Sequence, residues 1–138
     1  RYNDPVIGIA NVPHEDVSKY GIIEGVEINE RLTEISTFVE KPKPQDTQST
    51  KAVIGKYVIT PDVFAELERM KNDVTGELGL DHAFNALLGR KALYGYEIDG
   101  ARYDCGDKLG YVQATVEYAL RHPVIGQEFK DYLKKLKR

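Results

Sequence analysis

The stretch Ala52-Val53-Ile54-Gly55-Lys56-Tyr57-Val58-Ile59-Thr60-Pro61-Asp62-Val63-Phe64 reads as a strand that passes directly into a helix. Val53, Ile54, Tyr57, Val58 and Ile59 give an apolar, β-rich run. Thr60 then offers a side-chain oxygen to the free amides of a first helical turn, and the fixed φ of Pro61 suits the first helical position. Val63, Phe64, Leu67 and Met70 follow on one helical face. A strand feeding a helix is the unit from which mixed α/β folds are assembled.

Upstream, Val6, Ile7, Ile9, Ala10 and Val12 form a β-rich run that Pro13 ends, which predicts a buried strand. His14 to Ser18 is polar and predicts a turn or a short helical turn. Tyr20, Ile22 and Ile23 predict a short strand that Gly25 interrupts, and Val26–Glu30 with Leu32–Val39 predict a hairpin pair around Asn29-Glu30-Arg31. Lys41 to Thr50, carrying Pro42 and Pro44 and no periodicity, predicts a surface loop.

Downstream, Leu80, Phe84, Leu87 and Leu88 repeat at helical spacing as far as Gly89, which can stop a helix. Leu93 to Ile98 alternates weakly as a strand. Asp107 can cap a third helix whose Leu109, Val112, Val116 and Ala119 share a face and which ends before Pro123. Phe129, Tyr132, Leu133 and Leu136 mark a last helix, with Lys134, Lys135, Lys137 and Arg138 at the negative end of its dipole. The pattern predicts an α/β fold in a single domain over 1–138, with no internal repeat and no low-complexity tract.

The 138 residues are 41% hydrophobic and 30% charged, enough for one globular domain with a buried core. A formal net charge of −3 offers no basic excess to neutralise a phosphate backbone, so no nucleic acid partner is expected. No apolar run approaches the roughly 18 residues that cross a bilayer, and the start of the chain lacks a secretory pattern, so no membrane partner is expected either. Cys105 is the only cysteine, which rules out an internal disulfide and fits a reducing, cytoplasmic setting. Its side chain reads as a small, half-buried packing group. His14, His82 and His122 make no metal-ligand spacing with one another or with Cys105. The chain opens with Arg1 rather than Met, which reads as a fragment, a processed product or a trimmed form.

Three clusters place polar or flexible residues at the ends of apolar strands, where α/β proteins bind ligands. In Lys19-Tyr20-Gly21-Ile22-Ile23, Gly21 either lets a ligand approach the backbone or serves as an ordinary turn residue. In Phe38-Val39-Glu40-Lys41-Pro42-Lys43-Pro44, a regular strand would send Glu40 and Lys41 to opposite sides, but Pro42 restricts Lys41 and ends the pairing. A carboxylate beside an ammonium can grip a polyol and a phosphate respectively; the alternative is a solvated strand end. In Arg102-Tyr103-Asp104-Cys105-Gly106-Asp107-Lys108, a carboxylate next to a helix start can hold Mg²⁺, while Asp104 can equally form a turn and Asp107 a cap.

In this order and spacing the clusters resemble bacterial UTP-glucose-1-phosphate uridylyltransferases. The matching stretches are 17–23, 39–44, Ile54-Gly55-Lys56-Tyr57-Val58-Ile59-Thr60-Pro61, Arg102 to Gly110, and Ala114-Thr115-Val116-Glu117-Tyr118-Ala119-Leu120. Any single motif is moderately specific; five in sequence are highly specific. The resemblance implies a Rossmann-like nucleotidyltransferase fold: a mixed, mainly parallel sheet with flanking helices, here incomplete at its amino-terminal side. It places Gly21 and Glu40 at the hexose, Lys41 at the sugar phosphate as the catalytic residue, Gly55 at the border of the sugar, and Asp104 at a catalytic Mg²⁺. The implied reaction is attack by glucose 1-phosphate on the α-phosphorus of UTP, giving UDP-glucose and pyrophosphate. It also implies a homo-oligomer whose late helices make subunit contacts, with the Phe129 to Leu136 face as the candidate surface; the alternative is that this face packs within the chain.

Two departures stand beside the likeness. The family's Gly-rich triphosphate loop, its uracil-selecting residues and an upstream metal-sharing Asp have no counterpart here, so the chain carries the sugar-phosphate side of the site. At Gly76-Glu77-Leu78-Gly79-Leu80-Asp81-His82-Ala83 the family reads Gly-Glu-Ile-Gln-Leu-Thr-Asp-Ala, so Gly79, Asp81 and His82 differ. Those changes keep open a non-catalytic regulatory homologue and a nucleotidyltransferase for another sugar 1-phosphate.

Overall fold

A computed structural model describes residues 3–73 and 76–136, so Lys137 and Arg138, assigned above to a helix dipole, lie outside the described residues. The chain forms two compact units, Arg1–Ile98 and Asp99–Arg138. The first holds strands β1 (Val6–Asn11), β2 (Gly21–Asn29), β3 (Leu32–Glu40), β4 (Lys51–Val58) and β5 (Tyr94–Glu97), with helices α1 (Pro61–Met70) and α2 (Leu80–Leu87). Short 3-10 turns at His14–Lys19 and Pro44–Asp46 connect β1 to β2 and β3 to β4.

The strands lie in the order β1-β4-β2-β3-β5, with β5 also paired to β1. The expected mixed sheet with helices is present. Its expected mainly parallel character is not carried by these strands: β1–β5 is parallel, whereas β1–β4, β2–β3, β2–β4 and β3–β5 are antiparallel. For β2 and β3 the cause is local: they are joined by the tight turn at Glu30 and Arg31, which can only reverse the chain.

Ile7 and Ile9 of β1, Ile23 of β2, Ile35 and Phe38 of β3 and Val53 of β4 form one core with Val63 of α1 and Ala83, Phe84 and Leu87 of α2. Alternation on the strands and the helical spacing on α1 and α2 therefore meet in one apolar cluster. The loop after β3 is pinned rather than free: Thr47, 6% exposed, donates its hydroxyl to Glu24 Oε1 at 2.7 Å. The His14 ring nitrogen Nε2 reaches the Thr47 carbonyl at 2.9 Å.

Two local expectations are corrected. Gly25 does not interrupt β2; the strand runs through it, and the register shift opposite, between Thr37 and Ile35, absorbs the misfit as a bulge. Thr60 precedes α1 as expected, but its hydroxyl makes no cap bond and is buried without a partner among the described residues. The turn is closed instead by the Val63 amide donating to the Thr60 carbonyl at 3.1 Å.

The second unit holds α3 (Lys108–Arg121) and α4 (Gly126–Leu136). Asp107 caps α3 as its sequence indicates, its carboxylate accepting the Gly110 amide at 2.9 Å. Within α3 the buried positions are Gly110 and Ala114, four apart, while Leu109 and Val112 of the expected apolar face are 64% and 54% exposed. Cys105 is exposed rather than half-buried, because it stands in the turn that leads into α3.

Candidate functional site

The β2–β3 ladder sets Gly21 directly opposite Glu40. Strand alternation puts Phe38 and Glu40 on one side of β3, and Gly21 leaves them room: a Cβ there would lie 2.9 Å from Glu40 Oε2 and 2.9 Å from the Phe38 ring. The strand ends at Lys41, whose φ of 47° falls in the left-handed region. Pro42 does steer Lys41 away from the right-handed helical region, but into this turn rather than into extended backbone. Its amide is held by the Tyr20 carbonyl at 3.0 Å. The reversal cancels the alternation that would have separated two consecutive side chains, and Lys41 Nζ comes to 3.5 Å from Glu40 Oε1.

Glu40 and Lys41 share a cleft of about 480 Å³ with Phe38, Tyr57, Glu77, Gly79, Leu80, Asp81 and His82. The opposite wall is thus the start of α2 and the segment before it. There the Gly79 amide donates to His82 Nδ1 at 3.3 Å, a side chain at the third helical position satisfying one of the free amides of the first turn. Asp81 Oδ1 stands 3.2 Å from the same nitrogen.

Tyr57 brings a phenol between these walls. Burial, chiefly, and then the negative charges of Glu40 and Asp81 push its pKa above the usual tyrosine value, so the phenol stays protonated at neutral pH as both donor and acceptor. Its ring packs 5.8 Å from that of Phe84. The position of Tyr57 follows from a bulge: between the pairs Ile9↔Val53 and Ile7↔Tyr57, β4 takes up extra residues around Gly55. Gly55 has φ +71° and nothing within 4 Å of where a Cβ would stand, so it is required by the turn of the backbone and not by a close neighbour. Gly55 does not line the cleft itself.

Asp104 belongs to the second unit. Its Oδ1 accepts the Gly106 amide at 3.0 Å, and its Oδ2 lies 3.5 Å from Arg102. This is a turn held by an aspartate side chain ahead of the α3 cap. The described residues contain no group of three or more His, Cys, Asp or Glu side chains able to enclose a metal.

The family profile described as Nucleotidyl transferase matches residues 3–121. The chain belongs to the nucleotidyl transferase family. Among curated proteins, the UTP–glucose-1-phosphate uridylyltransferase 1 of Streptococcus pyogenes serotype M1 is 41% identical over 94% of this chain and 43% of that protein. A UTP-bound UDP-glucose pyrophosphorylase of Acinetobacter baumannii superposes with a TM-score of 0.84 at 32% identity, over 97% of this chain and 46% of that one. A UDP-glucose pyrophosphorylase complexed with UDP-glucose gives a TM-score of 0.78 at 38% identity, over 88% and 46%. The chain therefore spans less than half the length of the relatives it matches.

Sequence reasoning found one wall of the cleft, Glu40 and Lys41, and missed Tyr57 and Glu77 as lining residues. Tyr57 was readable only as one more apolar residue of a strand, since the bulge that redirects the end of β4 depends on its pairing with β1. Gly79, Asp81 and His82 stood out as departures from a pattern; their place on the second wall comes from the packing of α2.

Proposed function

We propose that the chain carries the sugar-phosphate side of the active site of a UTP–glucose-1-phosphate uridylyltransferase. The observation that carries this reading is the Glu40–Lys41 corner, where a left-handed turn directs a carboxylate and an ammonium into one cleft over Gly21. Side chains of the pair are 48% and 62% exposed, so their mutual attraction contributes little to stability and the arrangement is better understood as serving a ligand. Glu40 accepts hydroxyl protons of the hexose, and the Lys41 ammonium offsets charge on the sugar phosphate.

In the reaction an oxygen of glucose 1-phosphate forms a bond to the α-phosphorus of UTP, the bond from that phosphorus to the bridging oxygen breaks, and pyrophosphate leaves with the electron pair. Two anions must meet, so positioning and charge neutralisation supply most of the acceleration. Asp104 offers one carboxylate, which suits Mg²⁺ because that ion takes one or two protein carboxylates and fills its remaining positions with water and phosphate oxygens. When bound, Mg²⁺ supplies charge to phosphate oxygens of the substrates. The single exposed cysteine and the nucleotide-sugar chemistry fit a cytoplasmic enzyme, and the exposed Tyr132 and Leu136 of α4 fit a homo-oligomer.

A second reading has its own observation: Gly79, Asp81 and His82 line the same cleft. They favour a nucleotidyltransferase for another sugar 1-phosphate, or a binding homologue without catalysis. Pyrophosphate release by the full-length protein from UTP, glucose 1-phosphate and Mg²⁺ separates these. The expected outcome is activity that falls by at least about a hundredfold in Lys41→Ala; no release with glucose 1-phosphate, but release with another hexose 1-phosphate, supports the second reading.

A further inference from the structure

We infer that His82 is a specificity-determining residue of the cleft, its Nε2 hydrogen-bonding one hydroxyl of the bound hexose phosphate while Asp81 accepts a hydrogen bond from another hydroxyl. The inference rests on the sugar-phosphate reading of the cleft and extends it to the α2 wall.

Nδ1 of His82 stands 3.3 Å from the Gly79 amide and 3.2 Å from Asp81 Oδ1. It either accepts from the amide or, carrying the ring hydrogen, donates to the carboxylate. In both cases Nε2 is the nitrogen left over: it makes no hydrogen bond among the described residues, and His82 lines the cleft. Asp81, its side chain 26% exposed, lines the same cleft as a further acceptor.

The three residues depend on one another. A Cβ on Gly79 would collide with Asp81 Oδ1, so the glycine leaves the space in which that carboxylate sits while its amide holds His82. Glu40 on the facing wall accepts, Tyr57 both donates and accepts, and Asp81 with His82 adds a second acceptor and a ring nitrogen. A ring bearing several hydroxyls, each both donor and acceptor, matches that set.

The test is equilibrium binding of glucose 1-phosphate and of its monodeoxy analogues, each lacking one hydroxyl, to the full-length protein and to His82→Leu and His82→Gln. Gln retains both an acceptor for the Gly79 amide and a donor for the cleft. One monodeoxy analogue is expected to bind roughly tenfold more weakly than its parent to the wild type and to His82→Gln, yet about as well as its parent to His82→Leu. A residue that only capped α2 would weaken every ligand by the same factor, and a deoxy penalty that persists in His82→Leu overturns the inference while leaving the sugar reading intact. If another hexose 1-phosphate binds in place of glucose 1-phosphate, the choice of sugar is wrong and the same comparison is decided on that hexose; a wild type that binds none overturns both.

Discussion

Lys41 holds a backbone conformation that side chains with a Cβ avoid, at a cost of about 1–2 kcal/mol, and it does so with φ 47° between a strand and a proline. Glycine would take the same turn without that cost, although it would lose more chain entropy on folding. Replacing Lys41 by Gly is therefore expected to raise stability by about 0.5–1 kcal/mol while abolishing turnover, read as the denaturant midpoint and pyrophosphate release of the same preparation. An unchanged or lowered midpoint would mean that the turn carries no strain worth relieving. The chemistry of Glu40 and Lys41 was legible from residue type, since a carboxylate and an ammonium at a strand end suit a polyol and a phosphate. Their convergence was not, because regular alternation sends neighbours apart and only the turn at Lys41 brings them to 3.5 Å. The same limit applies to Asp104, whose type fits either a metal or a turn; its bond to the Gly106 amide fixes the turn, and a metal role requires ligands beyond its own side chain.

Among the elements, α1 and α2 are tied by Glu66, which is 9% exposed and accepts from Arg69 on its own helix and from Arg90 beyond the end of α2, each at 2.7 Å. Lys91 makes a second tie, to Asp62 of α1. The hydrogen bonds from Arg69 and then Arg90 hold the Glu66 carboxyl below its ordinary value of 4.5. With the folded pKa depressed, the folded state binds fewer protons than the unfolded one in this range, so the stabilisation is full above the unfolded value of 4.5 and disappears as pH falls through the lower folded value. Glu66→Gln should melt a few degrees below the wild type at pH 7, and the gap should close as the pH falls below 4.5. A gap that stays constant with pH would assign the effect to packing rather than to charge. Periodicity alone located both helices, because Val63 with Leu67 and Phe84 with Leu87 recur at helical spacing; their mutual orientation depends on Glu66 and Arg90, a pair 24 positions apart that no local pattern joins.

At the scale of the molecule the open question is what the first unit does with its sheet. β4 is paired along its length to β1, but β2 and β4 meet at a single pair, Ile22↔Ala52, so beyond that point neither strand has the other along the shared seam. A strand edge without a partner presents amides and carbonyls that another chain can take up. Apolar side chains lie on the two stretches this leaves, one on each side of the Ile22↔Ala52 pair: Val26 of β2 is 71% exposed and Val58 of β4 64%, the latter beside a groove of about 260 Å³ lined by Val6, Tyr96 and Ile98. Produced alone, these 138 residues are therefore expected to self-associate as concentration rises. Val58→Lys, which puts a charge on that edge, should shift the mass measured by light scattering towards the monomer without lowering the melting temperature. Association that survives Val58→Lys, but is lost when Tyr132 of α4 is changed to Lys, would move the contact to the second unit and support the late-helix interface inferred from the family. A monomer at every concentration would mean that the single β2–β4 pair suffices to close the sheet.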